Sequence, residues 1–131
     1  MKKFDEVLRS MTFEFFGSGG HKIQSSMFLT DENTVFLDVR SQEEYDTISF
    51  NLIHLMPVLH IPVCEIPDRI AEIPRDKNIG IFCSSGVRAS MVYFYLRALG
   101  FEKAKVIDGG YSELINEFKP GKLLKHISGK R

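Results

Sequence analysis

Two periodicities alternate along this chain. Short apolar runs bounded by turn residues read as strands: residues 34–40 behind Asp31, Glu32 and Asn33, residues 79–82 behind Asp76 and Asn78, and residues 104–107 ahead of Asp108, Gly109 and Gly110. A brief extended piece is expected at Lys22 and Ile23, and a further strand near residues 58–61. Helical spacing fills the intervals. Phe4, Val7, Leu8, Met11 and Phe15 predict a helix over residues 2–16 ending at Gly17, and a short helical turn follows around residues 26–29. Ser41 with Glu44 three positions on has the spacing of a capping box, so a helix starts directly after the strand at 34–40. Pro67 opens a short helix over 67–71. Val92, Tyr95, Leu96 and Leu99 predict a helix over 87–99 stopped by Gly100, and Leu114, Ile115 and Phe118 form the inward face of a last one over 111–118. Strands alternating with helices imply an α/β fold: a mostly parallel central sheet of about five strands with helices on both faces.

The stretch from Ile79 to Ser90 carries the candidate chemistry. A buried strand runs into Cys83, Ser84, Ser85, Gly86, Val87 and Arg88, and a helix begins there. Small residues let the backbone curl around a point so that several amide N–H groups converge, and the helix N-terminus adds partial positive charge. A thiolate is favoured beside a helix N-terminus and a cation such as Arg88, which makes Cys83 a candidate nucleophile.

Composition narrows the setting. The 131 residues are 44% hydrophobic and 26% charged, enough for one domain with a core, and 17 basic residues balance 17 acidic ones. A neutral chain lacks the basic footprint of a nucleic-acid binder, so an anionic ligand has to be attracted locally. Asp5, Glu6 and Arg9 interrupt the N-terminus before any apolar core, so no secretion signal is expected. The longest apolar run, 52–64, is broken by His54, Pro57, His60 and Pro62 and is too short to span a bilayer. A soluble, cytoplasmic protein with no membrane partner is expected, and its two cysteines, Cys64 and Cys83, are expected to be thiols. Gly17, Ser18, Gly19 and Gly20 read as a flexible connection, because no strand precedes them and no Gly-Lys-Ser/Thr closes them. His54 and His60 lack metal-ligand spacing, so no metal site is expected. Residues 119–131 hold four lysines, an arginine and no acid, and read as a loosely held basic tail; residues 1–21 read as a helical extension.

Asp38 and Arg40 stand at a strand's C-terminal edge, where open α/β sheets bind ligands; an ordinary surface ion pair is the alternative reading. Four ordered motifs over residues 22–118 resemble the single-domain rhodaneses. They are Leu37-Asp38-Val39-Arg40 with Glu43-Glu44-Tyr45, then His60-Ile61-Pro62-Val63, then Cys83 through Ser90, then Asp108-Gly109-Gly110-Tyr111. The resemblance implies a sulfurtransferase that needs no metal or organic cofactor: Cys83 takes a sulfane sulfur from thiosulfate or a similar donor, holds it as a persulfide, and passes it to cyanide or a thiol, protein thiols included. It implies that the amides of Ser84, Ser85, Gly86, Val87 and Arg88 stabilise the terminal sulfur, that the Arg88 side chain holds the donor's oxyanion, and that Asp38 and Arg40 brace the loop. It places Cys64 near the rim of the site, as a relaying thiol or an ordinary buried or helix-start cysteine. Two departures stand out: Ile53-His54-Leu55 comes later than the family's Gly-His-Ile, as though residues 46–52 held an insertion able to reshape the mouth, and Tyr111 stands near a frequent Trp.

Three other readings share these features. Phosphatases and arsenate reductases of the same fold also end a cysteine loop in arginine, but with five residues between the two, whereas Cys83 and Arg88 have four. Rhodanese-like binding modules commonly lack the cysteine. A cysteine hydrolase needs a histidine base beside the nucleophile, and none lies near Cys83 in sequence.

Overall fold

The computed structural model describes residues 2–130. Its frame is a five-stranded, all-parallel sheet of β1 (Lys22–Gln24), β2 (Thr34–Asp38), β3 (Val58–His60), β4 (Asn78–Phe82) and β5 (Ala104–Asp108), in the spatial order β1-β5-β4-β2-β3. The centre is β2 against β4, in register from Thr34 opposite Asn78 to Asp38 opposite Phe82. Every residue of β2 is buried, as its unbroken apolar run requires of a strand covered on both sides.

Alternation along the strands divides the core in two. Val35, Leu37 and Val39 of β2 and its extension, Ile79, Ile81 and Cys83, and Ala104 and Val106 point to one side. There they meet Val92, Tyr93 and Leu96 of α5 (Val87–Ala98), with Ile66, Ile73 and the partly buried Met11 and Phe15. Phe36, Phe82 and Ile107 point the other way, onto Phe28 and Leu29 of α3 (Ser25–Thr30), Phe50, Leu55, Met56 and Leu114 of α6 (Gly110–Asn116). The inward face of α5 therefore includes Tyr93, while Tyr95 and Leu99 are more than a third exposed; Ile115 of α6 is likewise half exposed, because helices this short bury a narrower stripe than their apolar content suggests.

The N-terminal segment is two helices, α1 (Lys2–Ser10) and α2 (Phe13–Gly17), where one was expected. Thr12 breaks it by capping α2, its hydroxyl accepting from the Phe15 amide at 3.2 Å. The helix expected after Pro67 is a 3-10 segment, Pro67–Glu72. The larger correction is at the C-terminus. Within the tail expected over 119–131, whose last residue lies outside the described ones, residues 119–130 are not loose: α7 (Pro120–Ser128) opens on proline, packs Leu123 and Ile127 against the second core half, and buries His126. His126 Nε2 lies 3.0 Å from Glu117 Oε1, Lys122 Nζ 3.3 Å from Oε2, and Lys130 donates to the Asp31 carbonyl. Burial opposes ionisation of Glu117, but the hydrogen bonds from His126 and Lys122 outweigh it and lower its pKa. Four lysines hid a helical pattern of Leu123, His126, Ile127 and Lys130.

Residues 46–52 also pack here. Phe50 is buried beside Phe36, Phe82, Tyr111 and Phe118, and the segment from Ser49 to Leu55 forms a groove of about 310 Å³ with Phe118, Leu123 and Ile127. Leu52 takes a left-handed φ of 51° in this turn. Among the described residues no helix is long and apolar enough to cross a membrane.

Candidate active site

Sequential strands β2 and β3 lie on one side of the β2/β4 boundary, and β4 and β5 on the other. The chain leaves β2 and β4 in opposite directions, and a crevice opens at their C-terminal ends, the usual ligand position of an open parallel sheet. Two loops face each other across it: Val39 to Ser41, leading into α4 (Gln42–Thr47), and Cys83 to Gly86, leading into α5.

Cys83 continues the alternation of β4, so its side chain turns inward and is 1% exposed. Gly86 then reverses the chain with φ +90°, a left-handed conformation that explains the glycine, since a Cβ there would meet nothing within 4 Å. The reversal sets the free amides at the start of α5 over the sulfur: Gly86 N–H donates to Sγ at 3.0 Å and Ala89 N–H at 3.3 Å. Of the expected cradle, Gly86 is therefore on the sulfur, Ala89 was missed, and no bond to Sγ is found from the amides of Ser84, Ser85, Val87 or Arg88 among the described residues. Ser85 and Val87 are exposed at the rim. Ser84 is pinned from both sides, its hydroxyl accepting from Arg88 at 3.0 Å and its carbonyl lying so close under Gly110 that any Cβ there would collide with it.

Arg88 does not point a free fork at the sulfur. Its Nη1 and Nη2 donate to the two oxygens of Glu44 at 2.6 and 3.0 Å, with both side chains a third exposed. Glu44 is in turn the far end of the capping box, accepting from Ser41 N–H at 3.2 Å and Ser41 Oγ at 2.9 Å. The Arg88 hydrogen bonds hold the Glu44 carboxyl at a pKa of about 2, against some desolvation, and Glu44 raises that of Arg88. The sequence showed Glu44 only as a cap; its second role joins residues 44 positions apart, beyond any spacing rule.

Asp38 and Arg40 are fully buried, which removes the surface-pair reading. Asp38 Oδ1 accepts from Arg40 Nε at 2.9 Å and from its backbone N–H at 3.1 Å, and Oδ2 accepts from Nη2 at 2.6 Å. Nη1 donates to the Tyr111 hydroxyl at 2.8 Å, and the rings of Phe50, Phe82 and Tyr111 surround the guanidinium at 5.4 to 5.6 Å. Burial works against the charge of Arg40, but the bonds to Asp38 and Tyr111 overcome it and raise its pKa. Neither residue bonds to the Cys83 loop. They touch its flanks, through Phe82 just before Cys83 and through Tyr111 just after Gly110.

His60 donates from Nε2 to the Arg40 carbonyl at 2.8 Å, since a carbonyl only accepts, and stacks on Tyr45 at 4.0 Å. Cys64 is exposed on a 3-10 turn, Val63–Glu65, so it is a thiol at a short helix and not a buried one. Among the described residues no three His, Cys, Asp or Glu are grouped to hold a metal.

A family model for the rhodanese-like domain matches residues 25–117. This chain belongs to the rhodanese-like family. It is 32% identical over 75 residues to a tRNA sulfurtransferase of Tolumonas auensis, covering 57% of this chain and 15% of that one. The solved NAD-dependent persulfide reductase from A. fulgidus is 41% identical, with a TM-score of 0.50 over 61% of this chain and 14% of its own. A rhodanese-related protein from Thermoplasma volcanium shares the fold, at TM-score 0.63 and 24% identity over 76% of this chain and 95% of its own. The chain thus spans about a seventh of the first two relatives and nearly the full length of the third.

Proposed function

We propose that this rhodanese-like domain is a cytoplasmic sulfurtransferase with Cys83 as its nucleophile. The observation that carries the reading is the pair of amide hydrogen bonds on Cys83 Sγ at the start of α5. Donors fixed in place before reaction stabilise negative charge on sulfur without reorganisation. The names of two relatives, a tRNA sulfurtransferase and an NAD-dependent persulfide reductase, support it.

In the first half-reaction the Cys83 thiolate attacks the outer sulfur of thiosulfate or a similar donor. The new Sγ–S bond forms as the donor's S–S bond breaks, and sulfite leaves with the bonding pair. In the second, cyanide attacks the outer sulfur and leaves as thiocyanate, or a small or protein thiol takes the sulfur, and the Cys83 thiolate returns. Gly86 and Ala89 N–H hold the sulfur that bears the charge; Ser84 and Arg88 hold the loop's shape. Asp38 and Arg40 act as positioning residues, setting Phe82 before the loop and Tyr111 behind it. The short spacing from Cys83 to Arg88 makes a ring suited to a single sulfur in preference to a tetrahedral phosphate.

The test is the intact mass of the protein after a sulfane sulfur donor. The wild type gains one sulfur atom and loses it to cyanide; Cys83→Ser keeps the fold and gains none, while Cys64→Ser gains it as the wild type does. Sulfur loading that survives Cys83→Ser and disappears in Cys64→Ser overturns the assignment.

A further inference from the structure

The charge of the loop is already spent inside the protein. Between Cys83 and Arg88 the side chains carry a single charge, that of Arg88. Three of its N–H bonds are committed, two to Glu44 and one to Ser84. Glu44 is held in turn by two bonds from Ser41, so it cannot swing away without breaking its own half of the capping box. The pair at the mouth sums to zero. What remains to attract an anion is the partial charge of the α5 N-terminus and its amides, about half an elementary charge. That suits one negative charge on a sulfur and leaves a dianion such as thiosulfate facing a fixed carboxylate.

The rim adds a second, independent preference. Val87 and Met91, one helical turn apart, are 59% and 61% exposed, and Tyr95 continues the stripe along α5. Met91 and Tyr95 border an apolar groove of about 170 Å³ whose other wall is Val63, Ile66 and Pro67. An organic group can rest there; thiosulfate has none.

We infer that the preferred donor of this loop is an organic hydropersulfide, R–S–SH, and that Glu44 is the positioning residue that selects it over thiosulfate by neutralising Arg88. This rests on the sulfurtransferase reading above and narrows its substrate class. The step balances without a co-reactant. Cys83 Sγ attacks the outer sulfur, the Sγ–S bond forms as the donor's S–S bond breaks, and the electron pair leaves on R–S⁻. The proton stays with the transferred sulfur until it ionises in the cradle, and that sulfur keeps its oxidation level. The apolar stripe carries the R group, and the leaving thiolate brings one negative charge past Glu44 where sulfite would bring two.

The probes are benzyl hydropersulfide, whose R group is apolar and uncharged, and thiosulfate, each used to load the full chain in single-turnover experiments read by intact mass. The wild type loads at least tenfold faster from the hydropersulfide, with lower values overturning the inference. In Glu44→Gln the amide keeps the shape and loses the charge, so Arg88 becomes available to a dianion. Loading from thiosulfate rises at least fivefold while loading from the hydropersulfide stays within twofold. A merely structural role for Glu44 slows both donors in proportion and leaves their ratio unchanged, which overturns the inference and spares the sulfurtransferase reading. If Glu44→Gln does not fold, the wild-type ratio is measured again from low to high salt. A repelled dianion gains from screening, so the ratio narrows; a ratio indifferent to salt overturns the selection by charge. Loading from neither donor in the wild type overturns both readings together.

Discussion

Arg40 and Arg88 each grip a carboxylate through two guanidinium nitrogens, and they do different things. Arg40 holds Asp38 two residues away, at the end of one strand, with neither side chain exposed. Arg88 holds Glu44 across the crevice, between loops that follow different strands, with both side chains a third open to solvent. The first pair is enclosed by three aromatic rings and its remaining arm goes to Tyr111, so nothing outside the protein can reach it. In the second, Nη2 donates both to Glu44 and to Ser84 of the Cys83 loop. The same ion-pair chemistry is therefore part of the frame in one place and part of the mouth in the other. Burial and chain separation decide which.

If that distinction is right, substitutions at the two pairs fail in different measurements. The largest effect on stability belongs to Arg40→Met, which strands Asp38 as a buried charge. A loss of about 3 to 5 kcal/mol is expected in urea unfolding, and Asp38→Leu added to Arg40→Met recovers most of it, because a pair of apolar residues leaves no orphan. A double variant no more stable than the single would show that the aromatic cage depends on the guanidinium itself. Next comes Arg88→Ala, which moves stability by under about 1 kcal/mol, as an exposed pair should. It slows sulfur loading from thiosulfate by about 10 to 100-fold, or roughly 1.4 to 2.8 kcal/mol in the transition state, since it frees Ser84 and leaves Glu44 uncompensated at the mouth. Unaltered loading kinetics in that variant would confine its role to the surface.

The smallest effect is in acid. Glu44 in the folded chain titrates at about 2, below its ordinary value of 4.5, so its contribution to stability is complete above about pH 4.5 and is lost as the pH falls through 2. Glu44→Gln lacks that dependence, and the difference in unfolding free energy between the two proteins shrinks across this window. The pair is a third exposed, so the change is modest, and a difference constant from pH 6 to pH 2 would mean that the ion pair adds nothing to the cap.

Sequence periodicity was enough for the five strands, their alternation with helices and the place of the cysteine loop, because each is a local pattern: an apolar run, a turn, a capping residue. It was least informative where a side chain meets something far along the chain. Glu44 was visible as the partner of Ser41, three residues back, and invisible as the partner of Arg88. Tyr111 looked like a stand-in for tryptophan and proves to be the hydroxyl that receives Arg40. Ala89 escaped notice because its contribution to the sulfur is a backbone amide, which any residue supplies. At the C-terminus the charge count drew the eye from a helical repeat that was there to be read, and the residues it buries, Leu123 and Ile127, complete a core half begun by Phe28.

The sheet order also bears on how the chain comes together during synthesis. Strand β1, residues Lys22–Gln24, pairs with β5, residues Ala104–Asp108, so about three-fifths of the molecule lies between the two halves of that ladder. Strands β2, β3 and β4 are adjacent to one another and can assemble from a contiguous stretch of some fifty residues. On a ribosome, the N-terminal strand is made first and seated last, waiting for a neighbour that emerges only when α6 and α7 are still inside the exit tunnel.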